Sequence, residues 1–148
     1  MKYVVDTSLV NKLVDGFVHA DELPKDGWFV ASQVQIDELN RTKNAKRRSE
    51  LLQRFSELVD ELLPTESSVF EISRFDLGKF GDGVAFGAIK LELDSLNGGK
   101  KNNSEDALIA EVAMKNGYVL LTADYDLYHV AYTDGIGTMY WTTPRRRV

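Results

Sequence analysis

The sequence predicts an α/β fold in which helices cover both faces of a mostly parallel β-sheet, and three observations indicate it. Strand-like and helix-like segments alternate along the 148 residues, as they do in doubly wound folds. Residues 119–121, Val-Leu-Leu, are too short and too uniformly apolar for a surface strand, which indicates a central, covered strand. Aspartates follow two strand-like runs, at the edge where open α/β sheets bind ligands.

Four strand-like runs are bounded by turn residues. Each is short and rich in β-branched, aromatic or other apolar residues, and they occupy residues 2–5, 28–31, 119–121 and 138–141. A further run at residues 67–72 is compatible with a strand or with the start of a helix.

Helices are predicted between these runs from apolar spacing and capping residues. Ser32 with Gln35 has the spacing of a capping box, so a helix starts directly after the second strand. Asn103 is the expected N-cap of a helix that the Asn-Gly pair at 116–117 ends, with Asp106 placed to return a capping bond. The other helices are expected at residues 9–14, at 45–63 before Pro64, at 85–96 after a cap at Asp82, and at 126–132.

The composition excludes several classes of protein. There are no cysteines, which excludes disulfide scaffolds, thiol nucleophiles and thiolate zinc sites and fits a reducing compartment. No apolar run approaches the roughly 20 residues of a membrane span, and residues 1–6 form a strand pattern rather than a signal peptide. We therefore expect a cytoplasmic protein that forms one domain over residues 1–148 and does not bind a membrane.

The net charge of −5 argues against a polyanionic partner, but the positive charges are clustered. Solvated helix faces explain each cluster about as well as nucleic-acid binding does. The clusters are Arg41, Lys43, Lys46, Arg47, Arg48 and Arg54 in one stretch, then residues 100–101 and 145–147.

Four carboxylates are expected to meet at the carboxyl edge of the sheet. Asp6 and Asp124 follow strands, Glu38 lies on the helix after the second strand, and Asp106 lies in a first helical turn. Carboxylates packed together raise one another's pKa values unless a cation neutralises them. Hard oxygen ligands without Cys or His indicate Mg²⁺ or Mn²⁺, which suits phosphodiester hydrolysis. The structural alternative for Asp6 is an N-cap of the first helix.

The acidic motifs resemble those of PIN-domain nucleases. They are Val4-Val5-Asp6-Thr7-Ser8, Asp37-Glu38-Leu39, Glu105-Asp106-Ala107-Leu108-Ile109-Ala110 and Leu120-Leu121-Thr122-Ala123-Asp124, in the family's order along nearly the whole chain. The resemblance implies a three-layer α/β/α sandwich with a five-stranded parallel sheet of order 3-2-1-4-5. It also implies cleavage of RNA with one or two Mg²⁺ or Mn²⁺ ions.

The same resemblance assigns roles to individual residues. It makes Asp6, Glu38, Asp106 and Asp124 catalytic metal ligands, and it gives Thr7 and Thr122 roles in supporting those ligands. Asp37, next to Glu38, and Asp126, two residues after Asp124, are alternative ligands, although Asp126 is better placed to cap the following helix.

RNA is the expected partner. Its phosphates are expected to contact Arg41, Lys43, Lys46, Arg47 and Arg48, which begin three residues after Glu38. An antitoxin protein, as in the toxin members of the family, and a second copy of this chain remain open as partners.

Two other functions compete with a ribonuclease. One is a PIN-like domain that binds RNA without cutting it. The other is a receiver-like signalling domain, which needs paired acids after the first strand and a lysine after the last, where this chain has Asp6-Thr7 and Thr142-Thr143.

Histidines and large aromatic residues suggest no separate site. His19 and His129 accompany no nucleophile and are expected to be ordinary residues. Trp28, Tyr140 and Trp141 are expected in the core rather than stacked on bases.

Overall fold

The computed structural model describes residues 1–64 and 84–141, and these contain a five-stranded sheet. Its strands are β1 (Lys2–Val5), β2 (Trp28–Ser32), β3 (Glu61–Leu63), β4 (Val119–Thr122) and β5 (Thr138–Tyr140). All neighbouring strands are parallel, in the order β3-β2-β1-β4-β5. The expected strand order is therefore confirmed, and it differs from the 2-1-3-4-5 order of receiver-type folds. Expectations for residues 67–72, Asp82 and 142–147 lie outside the described residues.

Six α-helices connect or flank the strands in the part of the chain that the structure describes. They are α1 (Thr7–Val14), α2 (Gln33–Asn40), α3 (Ala45–Leu58), α4 (Val84–Asn97), α5 (Asn103–Asn116) and α6 (Tyr125–Thr133), with a 3₁₀ turn at Ala20–Glu22. None of these helices combines the length and the apolar character that crossing a bilayer requires.

The sheet separates two apolar layers because alternate strand residues point to opposite faces. Val4 and Leu120 pack in the layer built with α4, α5 and α6. Tyr3, Val5 and Leu121 pack in the layer built with α1 and α3. Each fully buried aliphatic side chain contributes on the order of 2 kcal/mol. The α/β/α sandwich expected from the sequence is therefore confirmed.

The third strand is where the sequence-based assignment is wrong. One helix was expected over residues 45–63, but α3 ends at Leu58, Val59 is extended, and the chain enters β3. Asp60 donates its backbone N–H to the Phe29 carbonyl at 2.8 Å, and its carboxylate accepts from the Phe29 N–H at 2.9 Å. The open edge of β2 thus offers backbone partners that outcompete a further helical turn.

The start of α5 also differs from the prediction. Asn102, not Asn103, occupies the N-cap position. The buried Asn103 amide donates instead to the side-chain oxygens of Asp94 and Asn97, both at 2.8 Å. Tertiary partners at the end of α4 therefore replace the capping role. The predicted end of α5 is confirmed, since Gly117 has a left-handed φ of 67°.

One aromatic expectation is wrong as well. The Trp28 side chain is 47% exposed rather than in the core. It lies at the amino end of β2, where its indole N–H donates to Glu61 at 2.9 Å. Tyr140 and Trp141 are half-buried, and Trp141 packs against the layer formed with α1 and α3.

Candidate metal and catalytic site

Asp6 lies at the carboxyl end of β1, beside the end of β4. Its backbone N–H donates to the Leu121 carbonyl at 2.9 Å, which continues the pairing of these central strands. Although Asp6 occupies the N-cap position of α1, its side chain makes no capping bond. Its Oδ2 accepts from Ser8 Oγ at 2.5 Å and Thr122 Oγ1 at 2.8 Å, so Asp6 holds the N-cap position without capping α1 through its side chain.

Two hydroxyl groups join Asp6 to the turn that carries Asp124. Ser8 Oγ accepts from the Ala123 N–H at 2.9 Å, and Thr122 Oγ1 accepts from the Asp124 N–H at 3.0 Å. Each hydroxyl can therefore donate to Asp6 and accept from the β4 turn at once. The supporting role of Thr122 was expected from the motifs, whereas that of Ser8 was not. The available signal for Ser8 is a hydroxyl two residues after an aspartate at a strand end.

Asp124 is itself the N-cap of α6. Its Oδ1 accepts from the Leu127 N–H at 3.2 Å. The expectation that Asp126 caps this helix is therefore wrong, because α6 begins one residue earlier than predicted and so Asp126 falls in its first turn. The Asp126 Oδ2 lies 3.4 Å from the Asn97 amide nitrogen.

Glu38 is directed by the way α2 attaches to the end of β1. Gln35, which is 1% exposed, donates from Nε2 to the Val5 carbonyl at 3.0 Å. Its Oε1 accepts from the Ser32 N–H at 3.0 Å, the return bond of a capping box. Glu38 follows less than one turn later, and its Oε1 is buried. Asp37 instead accepts from Gln33 on its own helix at 3.0 Å.

Asp106 is buried in the first turn of α5, where its Oδ2 accepts from the Asn102 amide at 3.3 Å. Burial raises its pKa well above the usual range, and the charges of nearby carboxylates raise it further. In decreasing order of influence these carboxylates are Asp6, Glu38, Asp124 and Glu105. The structure thus brings the four predicted carboxylates to one edge of the sheet, close enough to interact electrostatically.

The pKa values of Asp6 and Glu38 are shifted in the same direction. Burial raises the pKa of Asp6, and the Asp124 charge adds to the effect against the Ser8 and Thr122 hydrogen bonds. Burial and then Asp6 raise the pKa of Glu38 to about 8, while Thr7 and Arg41 oppose the increase. Without a cation, Glu38 therefore favours its protonated form at neutral pH.

Glu105 adds a fifth carboxylate, to which the sequence motifs assign no role. It is 6% exposed and forms an ion pair with Arg41, whose side chain is 55% exposed. This pair joins the end of α2 to the first turn of α5. The sequence signal for Glu105 is its position next to Asp106. The sequence does not indicate that Glu105 pairs with Arg41.

The other predicted RNA-binding residues lie in different surroundings. Arg47 donates to Asp15, the C-cap of α1, at 2.7 and 3.1 Å and to Asn11 on α1 at 2.8 Å. Arg48 donates to the Thr42 carbonyl at 2.9 Å. Lys43 and Lys46 are exposed. Among these basic residues, Arg41 is the one that the described contacts place at the carboxylates.

The donor set has the chemistry that a hard divalent cation requires. Asp6 Oδ1, Glu38 Oε1 and Glu105 Oε2 are buried without a hydrogen-bond partner among the described residues, and a cation would satisfy them. In the same part of the chain, however, no three acidic or histidine side chains are arranged to hold an ion as they stand. Hydroxyl, backbone and Arg41 donors engage other carboxylate oxygens at this edge.

Comparison with known proteins supports the fold. No family model and no curated protein matches the chain. Among solved structures, VapBC2 from Rickettsia felis, bound to promoter DNA, is 16% identical with a TM-score of 0.59, over 95% of this chain and 99% of that chain. VapBC-1 from nontypeable Haemophilus influenzae is 19% identical with a TM-score of 0.58, over 95% and 98%.

A third solved structure shares the fold. The PilT N-terminus domain protein from Sulfolobus solfataricus is 14% identical with a TM-score of 0.51, over 95% of this chain and 87% of that chain. At such identities the likeness concerns the backbone arrangement. The resemblance to PIN domains is thereby confirmed at the level of the fold, and the chain has the PIN-like three-layer α/β/α architecture.

Proposed function

We propose that the chain is a divalent-metal-dependent ribonuclease whose site is formed by Asp6, Glu38, Asp106 and Asp124. One observation carries the proposal: buried carboxylates at the ligand-binding edge of the sheet raise one another's pKa values while several of their oxygens lack a donor. Such a cluster costs folding free energy in the absence of a cation. Its persistence in the fold is best explained by a cation that binds there.

The residues of the site have different proposed roles. Asp6, Glu38, Asp106 and Asp124 would hold Mg²⁺ or Mn²⁺, which supplies a hydroxide nucleophile and stabilises the leaving oxygen. Ser8 and Thr122 hold the orientation of Asp6. Arg41, half-exposed beside Glu105, is placed to contact an RNA phosphate.

The solved structures with a similar fold suggest a protein partner for this chain. Two of the structures with this fold are VapBC proteins, one of them bound to promoter DNA. Together with the motif resemblance, they support the proposal that this ribonuclease is the toxin of a toxin–antitoxin pair. An antitoxin protein would then be its partner.

The test combines metal binding with cleavage. Titration with Mn²⁺ should raise the melting temperature, since a ligand at 100 times its Kd stabilises the native state by about 2.7 kcal/mol. Wild-type protein should cleave single-stranded RNA with Mn²⁺ and not with EDTA, and Asp6→Asn should abolish cleavage. Asp21→Asn, which changes an exposed acid outside the site, should behave like wild type.

The outcomes separate the alternatives. An unchanged melting curve at millimolar Mn²⁺ would contradict the metal site. Stabilisation by Mn²⁺ and RNA binding without cleavage would instead favour a catalytically silent RNA-binding domain.

A further inference from the structure

Four tyrosines form a continuous strip that begins at the carboxylate site. We define the tyrosine strip as Tyr125, Tyr128 and Tyr132 on α6 with Tyr140 at the end of β5. Tyr140 stacks on Tyr128 with ring centroids 4.9 Å apart and an interplanar angle of 12°. Tyr125 meets the edge of Tyr140 at 6.1 Å, and Tyr132 lies 5.9 Å from Tyr128. The rings therefore extend one aromatic surface along α6.

The position of the strip is fixed by the same elements that build the site. Tyr125 directly follows Asp124, the N-cap of α6. Tyr140 pairs in register with Thr122, whose hydroxyl donates to Asp6. Two rings of the strip thus start at the carboxyl edge of the sheet, next to the candidate metal ligands.

Packing explains only part of the strip. Tyr128 and Tyr140 are half-buried, and their stacked rings cover the edge strand β5. Tyr125 and Tyr132 are 57% and 69% exposed, so their rings contribute little to the core. The two exposed rings and the half-buried stacked pair between them form one aromatic patch, and exposed apolar patches mark binding surfaces.

We propose that the exposed rings of the tyrosine strip, Tyr125 and Tyr132, stack unpaired bases of single-stranded RNA next to the cleavage site. The proposal rests on the proposed ribonuclease function. Tyrosines at positions 125, 128 and 132 lie on one helix stripe and span about 10 Å of helix axis. Aromatic side chains bind bases of any sequence because every base has a flat π-face.

Cations lie near the start of the strip. Lys100 and Lys101 are exposed in the loop before α5. The Lys100 N–H donates to Asn97 Oδ1 at 3.1 Å, and the Asn97 amide lies 3.4 Å from Asp126, the neighbour of Tyr125. The loop that carries both lysines is therefore held beside the first turn of α6. Their ammonium groups can contact phosphates of a strand whose bases stack on the rings.

A groove between α4 and α6 adjoins the tyrosine strip. Leu91 and Leu96 on α4 are 67% and 44% exposed, and they line an open groove together with His129, Val130 and Thr133. That groove is lined by both aliphatic and polar side chains of α4 and α6, and it borders the strip, because His129 stacks on Tyr125 with ring centroids 6.0 Å apart. Stacked phenol rings continuous with the carboxylates favour a nucleic-acid strand as the occupant of the strip.

The test measures RNA binding without cleavage. A short single-stranded RNA carrying 2-aminopurine is titrated with protein in EDTA, which prevents cleavage. Stacking of the 2-aminopurine on a tyrosine ring quenches its fluorescence. Tyr125→Ala and Tyr132→Ala should each weaken binding by about tenfold and reduce the quenching. Tyr125→Phe should retain both, since it keeps the ring. Phe17→Ala is the matched control, because Phe17 is 48% exposed outside the strip; it should bind like wild type.

Each outcome supports or overturns the proposal that the tyrosine strip binds RNA bases. Unchanged RNA affinity in both alanine variants would overturn it, as would equal quenching with duplex RNA, whose bases are already stacked. A lower oligomeric state in those variants with unchanged RNA affinity would assign the strip to a contact between copies of the chain. Wild-type binding with quenching but no cleavage in Mn²⁺ would contradict the nuclease while the stacking surface remained supported.

Discussion

Two aspartates that lie close in the sequence have opposite electrostatic surroundings. Asp94, near the end of α4, accepts hydrogen bonds from Asn103 and Lys90, and these lower its pKa. The pKa of Asp106, on α5, is raised well above the usual range by burial and by neighbouring carboxylates. The residue type is the same, so the difference arises from the partners that the fold supplies.

The two aspartates represent two regions, the junction between α4 and α5 and the carboxyl edge of the sheet. These regions differ in whether the protein supplies hydrogen-bond donors to their polar side chains. At the junction, Asn97 and Asn103 bond each other at 2.8 and 3.0 Å, and Asn103 also bonds Asp94. At the carboxyl edge, buried oxygens of Asp6 and Glu38 have no donor among the described residues. A carboxylate whose oxygens all have hydrogen-bond donors within the protein stabilises the fold. A buried carboxylate that lacks such donors needs an external cation.

The largest effect is expected from removing one charge at the carboxyl edge. Asp124→Asn should lower RNA cleavage by at least about 100-fold, the scale on which a charge-stabilising group acts. Its stability without metal should hold or rise, because asparagine is also a good N-cap and repulsion with Asp6 is relieved. Asp126→Asn should retain most activity. Rates of RNA cleavage and metal-free melting curves test both variants. A dead Asp126→Asn beside an active Asp124→Asn would move the fourth ligand to Asp126.

The carboxyl edge of the sheet should make the stability of the metal-free protein depend on pH. Glu38 has a raised pKa, about 8 against an ordinary 4.5, so the folded state binds its proton more tightly than the unfolded state. The metal-free protein should therefore lose stability as pH rises from 4.5 to 8, by up to about 1.4 kcal/mol per pH unit for this group. Urea unfolding in EDTA across this range measures the slope.

Glu38→Gln is the matched variant for this slope. It removes the titrating group while keeping its shape, so the decline should become shallower, with Asp6 and Asp106 contributing what remains. Saturating Mn²⁺ should reverse the trend, because bound metal favours ionised ligands. An identical slope in Glu38→Gln and wild type would show that Glu38 is not the group responsible.

A smaller effect is expected at the junction. Asn103→Ala removes a 1% exposed amide that binds Asp94 and Asn97, and it should cost about 1–3 kcal/mol of unfolding free energy. Gln53→Ala, which removes an exposed amide on α3, should stay within about 0.5 kcal/mol of wild type. Urea unfolding measures both. Equal stability of Asn103→Ala and wild type would mean that the junction network does not hold α4 against α5.

The smallest effects are expected among the basic residues of α3. Lys46→Ala should weaken RNA binding and reduce its salt slope by about one unit, as expected for one phosphate contact. Arg47, already paired with Asp15 at 2.7 Å, should affect the salt slope less and cost up to about 1 kcal/mol of stability when replaced by Ala. Binding titrations at several salt concentrations test this. A Lys46→Ala slope equal to that of wild type would exclude Lys46 from the RNA interface.

Local sequence patterns were sufficient where neighbours within a few residues determine the structure. Strands β1, β2, β4 and β5 and the end of α5 at Gly117 follow from apolar runs and turn residues. The convergence of Asp6 and Asp124 follows too, because both come directly after parallel strands whose carboxyl ends share an edge. These features depend on chain geometry more than on any distant contact.

Tertiary structure decided between alternatives that were locally equivalent. The apolar spacing after Phe55 fits helix or strand, and the open edge of β2 selected β3. Asn102 and Asn103 are equally good caps, and the end of α4 recruited one of them. Glu105 became part of the carboxylate edge through Arg41, 64 residues away. Spacing along the chain reports only short-range contacts, whereas burial and the choice of polar partner depend on which distant elements pack together.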